Sequence, residues 1–328
     1  MKSHACEFTL RDLLQFAGWP LVPLALFAFA MHLSARFHLL PDPRPALDTE
    51  RAILIHQAEA SRTSHDAEIL LLGDSSCLMN VSARRLGEQL GRPALNLGTF
   101  SFLDLEAHTL LLREYAKANP GRLRAVVLMM HPESLRRLGS EPYYLGALTS
   151  YWAGLDHGPT ATTAGQISYF LGVEIFKGRV LGRLLPSPLN GAYGQRYGFT
   201  RDLENFLARE HGSAVDPDQL NSFTGSAEYR LAPTLERASK NFRAAVPPGV
   251  KLLVGITPAP ERFAGPRYPQ LHAELLRQWN QWLQADATLT NLPPALPDDS
   301  FVRTTHLKES VIPSYTTQLA FALRPHLP

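Results

Sequence analysis

The stretch Glu68 to Val81, EILLLGDSSCLMNV, constrains the fold of this chain more than any other segment. Ile69 to Leu72 is a short continuous apolar run, the pattern of a strand buried on both faces of a parallel sheet. Gly73 ends the run where the chain must turn tightly, because no Cβ obstructs the turn. Asp74, Ser75 and Ser76 follow at the start of a helix, where Ser and Asp side chains cap exposed N–H groups. Strand, sharp turn and helix N-terminus place Ser75 at the carboxyl end of a sheet, the usual ligand crevice of open α/β folds. A serine there lies near unpaired backbone N–H donors and the positive end of the helix dipole, which suits a nucleophile in acyl transfer. The same triplet also serves an ordinary βα turn with a capping serine.

Ahead of this stretch, Phe16 to Leu33 (FAGWPLVPLALFAFAMHL) is long enough to cross a bilayer, and His32 is its only ionisable group. Pro20 and Pro23 fall in its first turns, where a membrane span tolerates them, and Trp19 suits an interfacial anchor. A cleaved signal peptide, with Ala28-Phe29-Ala30 as its small-residue site, and a buried core helix are the alternatives. The short polar lead-in and the large residues after Ala30 favour an uncleaved anchor. Lys2 and Arg11 before it and Arg36 and Arg44 after it leave the charge rule for orientation nearly silent. A short cytoplasmic tail (1–15), an anchor (16–35), a linker and lead-in helix (36–60) and a large extracytoplasmic domain (61–328) form the simplest arrangement. That predicts a single-pass protein of the cell inner (plasma) membrane with its main domain periplasmic. Cys6 and Cys77, the only cysteines, then lie on opposite sides, so no disulfide framework is expected.

Beyond Ser75 the pattern alternates. Ser82 to Gly91 reads as a helix, Pro93 to Gly98 as a strand, Leu103 to Ala118 as a helix and Ala125 to Met130 as a strand. Pro233 to Ala245 is a further helix, Val250 to Ile256 (VKLLVGI) a fourth strand, Pro269 to Ala285 a helix and Ile312 to Leu323 a last helix. This order predicts an α/β, doubly wound, three-layer parallel sheet. The middle, 142–227, is aromatic-rich without a steady period and reads as an insertion with some helix around Gln166 to Leu184. Its aromatics suit sugar stacking, an acyl pocket or an ordinary small core. The 32 basic and 30 acidic residues are nearly balanced, with no basic tract, so nucleic-acid binding has no support. No His/Cys/Asp cluster has metal-ligand spacing, and no cofactor is expected.

Gly73-Asp74-Ser75 after one strand, Asn96-Leu97-Gly98 after the next and Thr305-His306-Leu307 before a terminal helix resemble the first, second and last blocks of the SGNH (GDSL-type) hydrolases. The resemblance spans roughly residues 66–325 and implies that superfamily's flavodoxin-like fold. It implies Ser75 as nucleophile, His306 as general base and the backbone N–H groups of Ser75 and Gly98 as oxyanion donors. Two positions depart from the family. Arg303 stands where an aspartate usually precedes the histidine, and a cation there disfavours the imidazolium. Asp298 or Asp299 from the preceding loop are the substitutes, with Asp299 the candidate third member; a Ser–His dyad, or a site without activity, are the alternatives. His131 stands in the third block, where the family's oxyanion asparagine is absent, and is the candidate replacement donor. Membrane-anchored, divergent relatives of this kind are associated with O-acetylation of extracellular polysaccharides in bacteria, some beside a multi-span membrane acyltransferase. The resemblance therefore implies acyl transfer, chiefly of acetyl, on a polysaccharide or other acyl-ester substrate. An ordinary carboxylesterase or lipase, and a catalytically inactive domain that binds glycan or scaffolds a polysaccharide assembly, are the other expectations.

Overall fold

The computed structural model describes residues 9–37, 39–40, 49–100, 104–136, 142–153, 163–172, 175, 189, 191–218, 223 and 229–327. The chain separates into two compact units, Met1–Pro45 with Asp156–Pro186, and Ala46–Leu155 with Ser187–Pro328.

In the first unit, helix α1 (Leu10–Arg36) is started by a capping box. The Thr9 hydroxyl accepts from the Asp12 N–H, and the Asp12 carboxylate accepts from the Thr9 N–H. The helix begins earlier than the hydrophobic stretch suggests, so Pro20 and Pro23 lie inside it rather than in its first turns. Gly18–Arg36 is long and apolar enough to cross a membrane. Its large side chains point outward: Phe16, Trp19, Leu24, Leu26 and Phe29 are each more than half exposed. Met31 and Ala35 are buried. Within the same unit, the insertion helix around Gln166 to Leu184 is only partly among the described residues; helix α8 is Thr163–Tyr169, and it packs on α1.

The second unit is the α/β domain. Its helices are α2 (Thr49–Arg62), α3 (Ser75–Asn80), α4 (Ala83–Leu90), α5 (Leu105–Ala118), α6 (Pro132–Arg136) and α7 (Pro142–Trp152), then α9 (Gly191–Tyr197), α10 (Thr200–Arg209), α11 (Leu235–Ala245), α12 (Glu261–Ala264), α13 (Tyr268–Leu283) and α14 (Ile312–Leu323). Five strands, β1 (Ile69–Gly73), β2 (Ala94–Asn96), β3 (Ala125–Met130), β4 (Lys251–Ile256) and β6 (Ala287–Thr288), form a wholly parallel sheet in the order β2-β1-β3-β4-β6. β5 (Ala259–Pro260) and β7 (Ala295–Leu296) make a separate parallel pair. β5, β6 and β7 have two residues each, too short to show a period, and none was evident in the sequence.

Alternation along the buried strands decides the layers. Leu70, Leu72, Val126, Leu128, Leu252 and Val254 enter one core with α2, α5, α11 and α13. Ile69, Leu71, Ala125, Val127, Met129 and Leu253 enter the opposite core with α4 and α14. Trp279 is fully buried on α13, and its indole N–H donates to the Ser239 hydroxyl on α11 at 3.2 Å. A third cluster joins Ile53 of α2 and Met79 of α3 to Tyr197, Leu203 and Leu207 of α9 and α10. The aromatics of the middle segment that are described thus mostly pack a small core: Tyr197 lies edge-on to Phe206 at 5.1 Å.

Because β2 lies on one side of β1 and β3 on the other, the order reverses at β1. The carboxyl ends of β1 and β3 at that point are where open α/β sheets place a ligand site. Gly73 makes the turn there, and a Cβ at that position would sit 1.7 Å from the Met129 carbonyl oxygen. Gly73→Ala is therefore expected to cost about 3 kcal/mol or more, since backbone of two central strands must move apart. Chemical denaturation of the variant checks this.

Candidate active site

Asp74 caps α3 and ties the strand ends together. One carboxylate oxygen accepts from the Ser76 N–H and hydroxyl, the other from the His131 N–H at 2.8 Å. Ser76 Oγ lies 2.7 Å from Thr257 Oγ1, beyond the end of β4. Asp74, Ser76 and Thr257 are fully buried, so this polar network is held without competing water. Ser75, next to Asp74, is thereby fixed at the carboxyl end of β1.

His306 arrives from the other end of the chain. Val302 N–H donates to the His306 carbonyl, and Phe301 and Leu307 form an antiparallel bridge, closing a tight loop between them. Asn80, on the last turn of α3, grips this loop: its amide donates to the Thr305 carbonyl at 3.0 Å and its oxygen accepts from the Leu307 N–H at 2.8 Å. Asn80→Ala leaves two backbone groups of a buried loop unpartnered. A loss of about 2 kcal/mol in stability is expected, read by chemical denaturation.

The result is a hydrogen-bonded series. The Ser75 hydroxyl lies 2.8 Å from His306 Nε2, and His306 Nδ1 lies 2.6 Å from Asp216 Oδ2. With the imidazole neutral, Nδ1–H donates to Asp216 and Nε2 accepts from the serine, the tautomer a general base requires. Ser75 and His306 are only 3% and 8% exposed, so bulk water does not compete for these bonds.

The carboxylate is not the one sought near the histidine. Asp299 is exposed in the short 3-10 turn Asp298–Ser300, and Asp298 is used by the backbone N–H and guanidinium of Arg262. Asp216 comes instead from the segment after α10, 90 residues before His306. That segment is stitched to the sheet edge and to α3. The Asn96 N–H donates to the His211 carbonyl, and Gln57 Nε2 donates to the carbonyls of both Gly98 and Gly212. The Ala214 N–H donates to Leu78 O, and the Tyr197 hydroxyl bonds to both backbone groups of Val215. Asp216 follows directly. In sequence its only local sign is Val215-Asp216-Pro217-Asp218, which reads as a surface turn.

Burial pushes the Asp216 carboxyl up, but the hydrogen bond and charge of His306, the Asp218 N–H and the Arg303 guanidinium outweigh it and hold the group below its ordinary value of 3.8. A carboxyl depressed on folding contributes stability above its unfolded pKa, and that contribution is lost as pH falls through the lower folded value. Asp216→Asn is therefore expected to flatten the loss of stability below about pH 4, seen in denaturation titrations from roughly pH 2 to 6.

The expected oxyanion donors, Ser75, Gly98 and His131, have these surroundings. The Gly98 N–H donates to Asn96 Oδ1 at 2.8 Å, inside the protein. A Cβ on Gly98 would lie 2.8 Å from the Leu78 nitrogen, so the glycine permits close approach of this loop to α3. His131 is fully buried, and its Nδ1 accepts from the Glu133 N–H at 3.2 Å. Its backbone N–H, in the turn after β3, donates to Asp74. The Ser75 N–H lies at the first position of α3, where a backbone donor is unpaired within the helix. Cys77 is fully buried, and burial pushes its thiol well up, so it is a core residue and not a second nucleophile. Among the described residues, no group of three or more His, Cys, Asp or Glu could hold a metal ion.

Fold and site together define a doubly wound α/β domain with a Ser–His–Asp series at its switch point. A serine, an imidazole and a buried carboxylate in this order can generate a nucleophilic alkoxide near neutral pH. No protein-family model matches the chain, and no curated protein matches it.

Proposed function

We propose that this protein is a membrane-anchored, SGNH-like O-acyltransferase or esterase. It would act on an extracytoplasmic polysaccharide through a serine acyl-enzyme, with acetyl the chief acyl group. The observation that carries the reading is the Ser75–His306–Asp216 hydrogen-bonded series at the carboxyl ends of β1 and β3. The order of the sequence blocks supports the SGNH assignment: Ser75 after the first strand, Asn96-Leu97-Gly98 after the second and His306 before the last helix. The apolar helix Gly18–Arg36 supports a single-pass anchor in the inner (plasma) membrane, with the α/β domain on the periplasmic side.

The chemistry follows from the geometry. Ser75 Oγ attacks the carbonyl carbon of the acyl donor as its proton passes to His306 Nε2. The Ser75 N–H holds the oxyanion of the tetrahedral intermediate, and Asp216 stabilises the imidazolium. The bond from acyl carbon to leaving oxygen then breaks, and that oxygen takes the proton from Nε2. A glycan hydroxyl, or water, next gives its proton to Nε2 and attacks the acyl carbon; the bond from that carbon to Ser75 Oγ breaks, Oγ takes the proton from Nε2, and the ester or acid leaves. A multi-span membrane acyltransferase is the candidate source of the acyl group.

The test incubates the full chain in detergent with a small activated acetyl ester, with and without soluble polysaccharide. An acetyl group on the peptide containing Ser75, passing to the glycan faster than to water, is the expected result. Release to water alone would leave an esterase. A well-folded protein with no serine adduct would remove the reading.

A further inference from the structure

Arg303 occupies the place where a carboxylate was expected, three residues before His306, and the structure gives that cation a use. Its Nε lies 3.1 Å from Asp216 Oδ2, the same oxygen that accepts from His306 Nδ1. Its terminal nitrogen pairs with Asp218 Oδ2. The Asp218 N–H in turn donates to the other oxygen of Asp216 at 3.0 Å. Both carboxylate oxygens of Asp216 are thus engaged, and one guanidinium bridges the two loops that bring acid and base together.

We propose that Arg303 is a positioning residue that holds Asp216 in line with His306 by clasping it together with Asp218. This rests on the acyl-transfer reading of Ser75, His306 and Asp216. The chemistry favours a clasp over an ordinary surface ion pair. The guanidinium is a rigid planar fork with several donors in fixed directions, so it can meet two carboxylates at once and orient both. The Arg303 side chain is 45% exposed while that of Asp216 is fully buried. Solvent screens the attraction on the arginine side, so the consequence is orientation more than stability. The loop geometry matches this use, because the His306 N–H donates to the Arg303 carbonyl at 3.3 Å, making clasp and base parts of one turn. Among the described residues, Tyr193, Tyr197 and the Arg196–Glu309 pair are the other ionisable groups that act on this cluster or on its tyrosines. Burial pushes the phenols of Tyr193 and Tyr197 far up, so both stay neutral, and Glu309 is paired with Arg196 at 2.6 Å.

The test uses the full chain in detergent and two independent readouts. One is the single-turnover rate of Ser75 acetylation. The other is the low-field proton resonance of the His306 Nδ1–Asp216 hydrogen bond, which needs no substrate. Arg303→Ala is expected to lower the acylation rate about 100-fold with little change in KM, and to broaden or shift the resonance. Arg303→Lys should recover part of both, within about tenfold of wild type, because an ammonium keeps the charge but not the fork. Asp218→Asn guards against a misfolded Arg303 variant: it removes one arm of the clasp at the surface and should lower the rate by a smaller factor in the same direction. Wild-type rate and resonance in Arg303→Ala, or in Asp218→Asn where Arg303→Ala does not fold, would overturn the proposal. If wild type forms no acetyl-enzyme, the acyl-transfer reading fails by itself. The resonance, altered or unaltered in the variants, then decides the clasp.

Discussion

Ser75→Ala is expected to abolish the acetyl-enzyme altogether. The only hydroxyl within hydrogen-bonding distance of His306 Nε2 among the described residues is that of Ser75, at 2.8 Å. Its neighbour Ser76 cannot substitute, because its hydroxyl is committed to Asp74 and Thr257. Cys77 is buried and its thiol resists ionisation. Turnover should fall by about 10⁶-fold, the range seen when the nucleophile of an acyl-transfer triad is removed. His306→Ala should fall about as far, and the double variant no further, since the two groups act as one unit. Intact-mass measurement after incubation with the activated ester reads the adduct directly. An adduct surviving on another residue of Ser75→Ala would place the chemistry elsewhere.

Asp216→Asn is the second large effect. The amide keeps the shape but offers His306 Nδ1 either an N–H or a neutral oxygen, so the imidazole loses its preferred tautomer and the imidazolium its counter-charge. A drop of about 10⁴-fold in kcat is the expected size. KM should change little, because Asp216 bonds His306 Nδ1, on the opposite side of the ring from Ser75. The matched control is Asp299→Asn, which removes only an exposed carboxylate from a surface turn. Should Asp299→Asn carry the large loss and Asp216→Asn none, the assignment of the acid would be reversed.

The parts legible in the sequence were those set by neighbouring residues. The run Ile69–Leu72, Gly73 and the capping pair Asp74-Ser75 announce strand, turn and helix within a few positions, and the structure has β1 and α3 there. The buried strands β3 and β4 were legible for the same reason, as continuous apolar runs. The apolar helix at the N-terminus was legible too, although the helix starts earlier, because the Thr9–Asp12 cap lies outside the hydrophobic stretch that marked it.

Gly98 shows where that legibility ends. A glycine after a strand signals that something comes close, but not what. Here the neighbour is the Leu78 backbone, and the Gly98 N–H donates to Asn96 Oδ1. Arg303 shows the same in reverse. Next to His306 in sequence, it reads as a cation opposing the imidazolium. In space its charge meets Asp216 and Asp218, so it bears on the histidine through the carboxylate.

By itself, the sequence determined a parallel α/β domain, the turn that presents Ser75 and an N-terminal helix apolar enough to cross a membrane, because periodicity, capping and turn chemistry act over a few residues. Only the tertiary structure decided the acid. Asp216 reaches His306 because Gln57, Leu78, Asn96 and Tyr197, drawn from four distant parts of the chain, bond the backbone of its loop along the sheet edge and α3. No local pattern encodes a hydrogen bond across 90 residues; it exists only once the elements have packed.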